Sequence, residues 1–107
     1  LHRRKDKHFS PGKAEYRIIP SNTDMEDLIM SHISTNFDRT GFYKDVNVVL
    51  PHDRLVELVK RGEVGQEADF HYSFMGATPP GALEPAANEL AGVLKDDNVT
   101  GVIFSPV

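Results

Sequence analysis

Cysteine is missing from all 107 residues. That removes disulfides, thiolate metal ligands and any thiol redox centre from what this stretch can do by itself. Long apolar runs are missing too. None approaches the roughly 18 residues that span a bilayer, and no leader-like segment stands out. Nothing repeats internally, and no tract is of low complexity. Basic charge is scarce except at one place: Arg3, Arg4, Lys5 and Lys7 are four of the twelve Lys and Arg residues, against sixteen Asp and Glu, for a net charge of −4. A short basic arm without interleaved aromatic rings, on an otherwise acidic body, argues against nucleic acid as a partner. A cytoplasmic protein with no membrane and no nucleic-acid partner is expected.

What is present reads as one α/β unit over residues 1–107. Residues 1–13 form a basic irregular loop punctuated by Ser10, Pro11 and Gly12. Residues 16–19 predict a strand ended by Pro20. Ser21, Asn22, Thr23 and Asp24 are cap residues, and Met25, Leu28 and Ile29 follow at helical spacing, so a short helix or a strand near 29–33 both fit. Val46, Val48, Val49 and Leu50 predict a strand closed by Pro51. Leu55, Leu58 and Val59 fall at i, i+3 and i+4 before Gly62, so 53–61 predicts a helix. Residues 68–74 alternate as a strand should. A second helix opens at Thr78-Pro79-Pro80-Gly81 with an apolar stripe of Leu83, Ala87, Leu90, Ala91 and Leu94, and Pro85 suits its first turn. Residues 99–104 predict a last strand. Strands alternating with helices at these lengths predict a three-layer, mainly parallel sheet of flavodoxin or Rossmann type, incomplete at both ends.

Two dense polar stretches follow apolar runs, residues 31–41 and 69–76. In an open parallel sheet, ligands sit outside the carboxyl ends of the strands, where both stretches, together with 51–54, would lie. His32, Ser34, Thr35, Asn36, Asp38, Arg39, His71 and Ser73 are therefore candidate substrate contacts. Arg39 offers a planar fork for a carboxylate and Asp38 an anion for an ammonium. The alternative is a loop whose Asn, Asp and Thr satisfy its own backbone. His2, Arg3, Asp53, Arg54 and Tyr72 form a second tier of candidates. Asp53 also fits as a helix cap, Arg54 as a partner of an exposed carboxylate, and Tyr72 as core. A metal-dependent hydrolase would have to use His32, His52 and His71, but no two of them share a recognised ligand spacing, so no metal ligand is assigned. The turn 76–81 precedes a helix, but its prolines remove the donors an anion site needs.

The stretch from His32 to Gly41, with Pro51-His52-Asp53-Arg54-Leu55, 69–76 and Leu1-His2-Arg3-Arg4, resembles the glycine/sarcosine/betaine reductase selenoprotein B family, including its shorter relatives. The resemblance runs along nearly the whole chain and is most specific from His32 to Gly41. It implies reductive cleavage of a C–N bond in glycine, sarcosine, betaine or a related substrate. In that family the counterpart of residues 100–107 leads into a segment with selenocysteine or a Cys-x-x-Cys pair. The resemblance thus implies that this is a fragment ending just before its redox centre. No cofactor is expected within these residues, and the thiol or selenol centre would lie downstream. They would supply the substrate pocket and scaffold of a reductase, as a homo-oligomer or with other reductase subunits. The alternative is a non-enzymatic α/β ligand-binding or subunit-interaction module.

Overall fold

The computed structural model describes residues 1–10 and 12–107. Its centre is a two-stranded antiparallel ladder between β2 (Tyr16–Pro20) and β4 (Phe70–Phe74), in which Tyr16 faces Phe74 and Pro20 faces Phe70. The side-chain period of two divides the ladder into faces. Tyr16, Ile18, Tyr72 and Phe74 lie on one face, where the Tyr16 ring meets Tyr72 and Phe74, each at 5.7 Å. On the other face lie Arg17, Ile19, His71 and Ser73. Ile19, 1% exposed, is the most deeply buried apolar side chain there. A second antiparallel pair joins β1 (His2–Arg3) to β3 (Leu28–Ile29). Phe9 is buried, and the Arg17 guanidinium lies 4.6 Å from its ring centre, a cation–π contact that ties the N-terminal segment to β2.

Three α-helices complete the described structure: α1 (Thr40–Lys44), α2 (His52–Lys60) and α3 (Pro80–Asp96). The N-cap position of α2 is Pro51, which has no side-chain cap. Asn47 supplies one from the preceding turn. Its Oδ1 accepts from the Asp53 N–H at 2.9 Å, and its amide donates to Asp45 and Asp53, each at 2.8 Å. One otherwise orphaned helix N–H is thereby satisfied. α2 ends in a Schellman turn: Glu63 N–H bonds the Leu58 carbonyl and Gly62 N–H the Val59 carbonyl, with Gly62 at φ 74°. α3 ends the same way through Asn98 (φ 57°) and Val99, whose N–H groups reach Lys95 and Leu94. Its middle is tied to the ladder by the Tyr16 hydroxyl, which donates to Glu89 at 2.8 Å.

Several expectations are corrected. There is no three-layer, mainly parallel sheet of flavodoxin or Rossmann type among the described residues, only the two antiparallel pairs. Residues 46–50 are not a strand. Val46–Val48 forms a 3₁₀ turn, because the Asp45 carboxylate caps the Asn47 N–H at 2.9 Å and starts helical bonding. Residues 99–104 take no ladder partner, and Ile103 and Phe104 are 66% and 88% exposed. The segment has the β-branched composition of a strand but no neighbour to receive its backbone groups. Pro85 lies inside α3, not in its first turn, since the helix already begins at Pro80. The Met25–Asp27 segment is a 3₁₀ turn capped by Asp24, running directly into β3.

Asn98 carries the left-handed cap without the freedom of glycine. Asn98→Ala is expected to destabilise by about 1–2 kcal/mol, the cost of a Cβ-bearing residue held at positive φ without the local bonding of asparagine. Asn98→Gly should be neutral or slightly stabilising, and urea unfolding midpoints separate the two.

Candidate functional site

The loop from Ser31 to Arg39 is held by bonds within itself. Arg39 is its keystone. One terminal nitrogen, Nη2, donates to the His32 carbonyl at 2.7 Å and to the Ser34 carbonyl at 3.4 Å, and Nη1 donates to the Phe37 carbonyl at 3.4 Å. A guanidinium presents several donors in one rigid plane, so it can gather carbonyls that no single amine could. The His32 ring stacks on Phe37 at 4.1 Å and 11°. Its Nδ1 accepts from the Ser34 N–H at 3.2 Å, which leaves the ring proton on Nε2. Ser34 Oγ accepts from the Asn36 N–H, and Asp38 Oδ1 from the Thr40 N–H at 2.8 Å, at the start of α1. Bonding to Thr40 holds the Asp38 carboxyl below the usual carboxylate range. Ser34, Thr35, Asn36 and Asp38 are exposed, while His32 and Arg39 are half-buried.

β4 presents a separate group. His71 stands opposite Ile19 in the ladder, and its Nε2 meets Glu67 Oε1 at 2.8 Å. His52, at the start of α2, brings Nδ1 to the same oxygen at 2.7 Å. Ser73, two residues along the same face, accepts from the Leu1 amino group at 2.8 Å. No side-chain hydrogen bond or ion pair joins the 32–39 loop to His71 or Ser73 among the described residues. Convergence of these residues on one edge requires a parallel sheet, and the antiparallel ladder removes that geometric basis.

The remaining candidates are spread more widely. His2 is fully buried. Its Nδ1 faces the Arg3 carbonyl at 2.9 Å, which can only accept, so Nδ1 carries the proton and Nε2 accepts from the Ser31 hydroxyl at 2.7 Å. His8 Nδ1 reaches the same hydroxyl at 3.2 Å. Arg3 forms a bidentate pair with Asp6, both bonds at 2.9 Å. It borders an open cleft of about 480 Å³ that Arg4, Asn22, Asp24 and Asp27 also line. Asp53 accepts from Asn47, Arg54 pairs with the exposed Glu57 at 3.0 Å, and Tyr72 packs its ring edge against Tyr16. Glu67 and Ser31 were not singled out by sequence reasoning. Ser31 opens the polar stretch, but its partners His2 and His8 lie more than twenty residues back; Glu67 has one partner, His71, four residues on and the other, His52, fifteen back on a different element, and spacing carries no signal for such long-range pairs.

Residues 12–106 match the glycine/sarcosine/betaine reductase selenoprotein B family, and the chain belongs to it. No curated protein and no solved structure matched the chain. No helix among the described residues is long and apolar enough to cross a membrane.

Two outcomes follow. Arg39→Ala should lower stability by roughly 1–3 kcal/mol, because three carbonyls lose a charged donor, and Arg39→Lys should recover only part of it. Thermal melts of the two variants check this. The second concerns pH. Burial lowers the His2 pKa below its ordinary 6.5, chiefly by desolvation, opposed by its bond to the Arg3 carbonyl. The unfolded state therefore takes up the proton first. The contribution of His2 is complete above pH 6.5 and is lost as pH falls from there toward its folded value. The Asp6 carboxyl, held down by Arg3, acts in a separate window below its ordinary 3.8. The slope of melting temperature against pH just below 6.5 should flatten in His2→Gln.

Proposed function

We propose that this chain is the substrate-recognition part of a selenoprotein B-like reductase acting on the C–N bond of glycine, sarcosine, betaine or a related small substrate. The family match across residues 12–106 carries the reading. The 31–39 loop supplies its chemistry: an ionised Asp38 and a cationic Arg39 are neighbours along the chain, and the exposed Thr35 and Asn36 and the Nε2–H of His32 belong to the same loop. Adjacent fixed charges of opposite sign suit a zwitterion, whose ammonium and carboxylate are only a few atoms apart. In this reading Arg39 acts first as the brace of the loop, and its positive field, more than a free fork, faces the carboxylate. His71 and Ser73 lie outside the loop's own bonding and are the weaker part of the contact set.

Electrons must come from elsewhere, since these 107 residues hold no thiol. A cytoplasmic assembly with copies of itself or with reductase subunits, around a thiol or selenol centre outside these residues, belongs to the same reading.

Isothermal titration of the full-length protein with glycine, sarcosine and betaine tests it. One of the three is expected to bind, and Asp38→Asn should weaken an ammonium-bearing ligand at least tenfold while leaving the melting temperature within a few degrees. Betaine cannot donate an N–H to Asp38, so a site preferring betaine would be less affected and would rely on aromatic faces such as Phe37. Absence of binding by all three would remove the substrate reading and leave the family standing.

A further inference from the structure

Three residues from α2, the loop before β4 and β4 itself meet at one point. His52 opens α2, Glu67 lies in the loop before β4, and His71 is the second residue of β4. Glu67 Oε1 lies between His52 Nδ1 and His71 Nε2, at 2.7 and 2.8 Å. One ligand atom from each residue can be chosen so that all lie within 4.8 Å of one another. Their side chains are only 16%, 16% and 19% exposed, shielded from bulk water but not sealed from it.

Two imidazoles and one carboxylate form a donor set that suits zinc, and three protein ligands leave a fourth position open. We propose that His52, Glu67 and His71 bind one Zn²⁺ ion, with water in the fourth position. The distances are close to what this needs. A tetrahedral ion with bonds of about 2.0–2.1 Å keeps its ligand atoms about 3.3 Å apart. The two nitrogen–oxygen separations, 2.7 and 2.8 Å, must therefore open by about half an ångström, starting from ligand atoms that already lie within 4.8 Å of one another.

The protons balance without a net change. Without the ion, each ring nitrogen facing Oε1 carries its proton and donates to the carboxylate. On binding, those protons move to His52 Nε2 and His71 Nδ1, so each neutral ring turns a lone pair toward the metal. The anchors are already set. His71 is held in the ladder opposite Ile19, and the start of α2 is held by the Asn47 cap. A bound ion would clamp α2 to β4.

The test uses the full-length protein, stripped of metal with a chelator and titrated with Zn²⁺ by calorimetry and with Co²⁺ by visible absorption. The proposal expects one ion per chain and the absorption of four- or five-coordinate Co²⁺ with nitrogen and oxygen ligands. His71→Ala and Glu67→Gln should each weaken Zn²⁺ binding at least tenfold. His8→Ala, which alters only the separate cluster with Ser31, should not. Circular dichroism of the metal-free variants shows whether each still folds, and the Co²⁺ spectrum of the unaltered protein stands independently of them. A thiolate charge-transfer band, a six-coordinate Co²⁺ spectrum, no stoichiometric binding, or affinity unchanged in folded His71→Ala and Glu67→Gln would each overturn the proposal.

Discussion

The β2–β4 ladder is the contact on which most of the described structure depends. It pairs residues fifty or more positions apart, so its closure costs loop entropy that only later contacts can offset. Those contacts then build outward from it. The ladder is prolonged by the Ser21 N–H on the Asp69 carbonyl, while α3 joins through Tyr16 and Glu89 and the N-terminal segment through Ser73. Ile19 in the ladder is the most buried of a small set of buried apolar side chains that also includes Phe9, Leu28, Val49, Met75 and Leu90. Burying so few large side chains yields limited hydrophobic stabilisation, so local hydrogen bonds decide the shape of much of the remaining chain.

That balance explains which elements were legible in the sequence. The helices at 52–60 and 80–96 carry apolar residues at helical spacing and end in residues suited to positive φ, Gly62 and Asn98, so local chemistry alone locates them. β2 and β4 were legible as strands from their alternation, but not their antiparallel pairing, because register and direction are properties of two segments and not of one. The parallel-sheet expectation failed where composition stood in for a partner. At 46–50 the β-branched run was overridden by Asp45 and Asn47, whose side chains cap a helical turn at lower cost than an unpaired strand. At 99–104 the composition is right and the neighbour is missing from the described residues, leaving Phe104 88% exposed. Apolar content alone cannot choose between those outcomes.

The candidate site divides in the same way. Chemistry concentrated in one stretch, as at 31–39, can be read directly, although reading it as a ligand kit leaves out how much of it the loop consumes. Arg39, Ser34, His32 Nδ1 and Asp38 Oδ1 all bond backbone within the loop or at its boundary with α1. Chemistry assembled from separate elements stays hidden. Glu67 looks like an ordinary loop acid until folding sets it between two histidines, one fifteen residues behind it on another element and one four ahead in β4, and it lies on neither a helix nor a strand that would give the four-residue spacing meaning.

A loop shaped by its own bonds has a consequence for recognition. Where a site rests on a deep core, a ligand can draw on core packing to hold its contacts in place. Here the core is small and the 31–39 loop carries its own brace, so the geometry it offers is set before any ligand arrives, and less ordering entropy is lost on binding. The same brace limits the chemistry. With Arg39 turned to carbonyls and no thiol within the 107 residues, the loop can hold charge in place but cannot supply electrons. Under the proposed reading, recognition and reduction are then separate tasks, joined only when a redox group is brought to a substrate held at the loop.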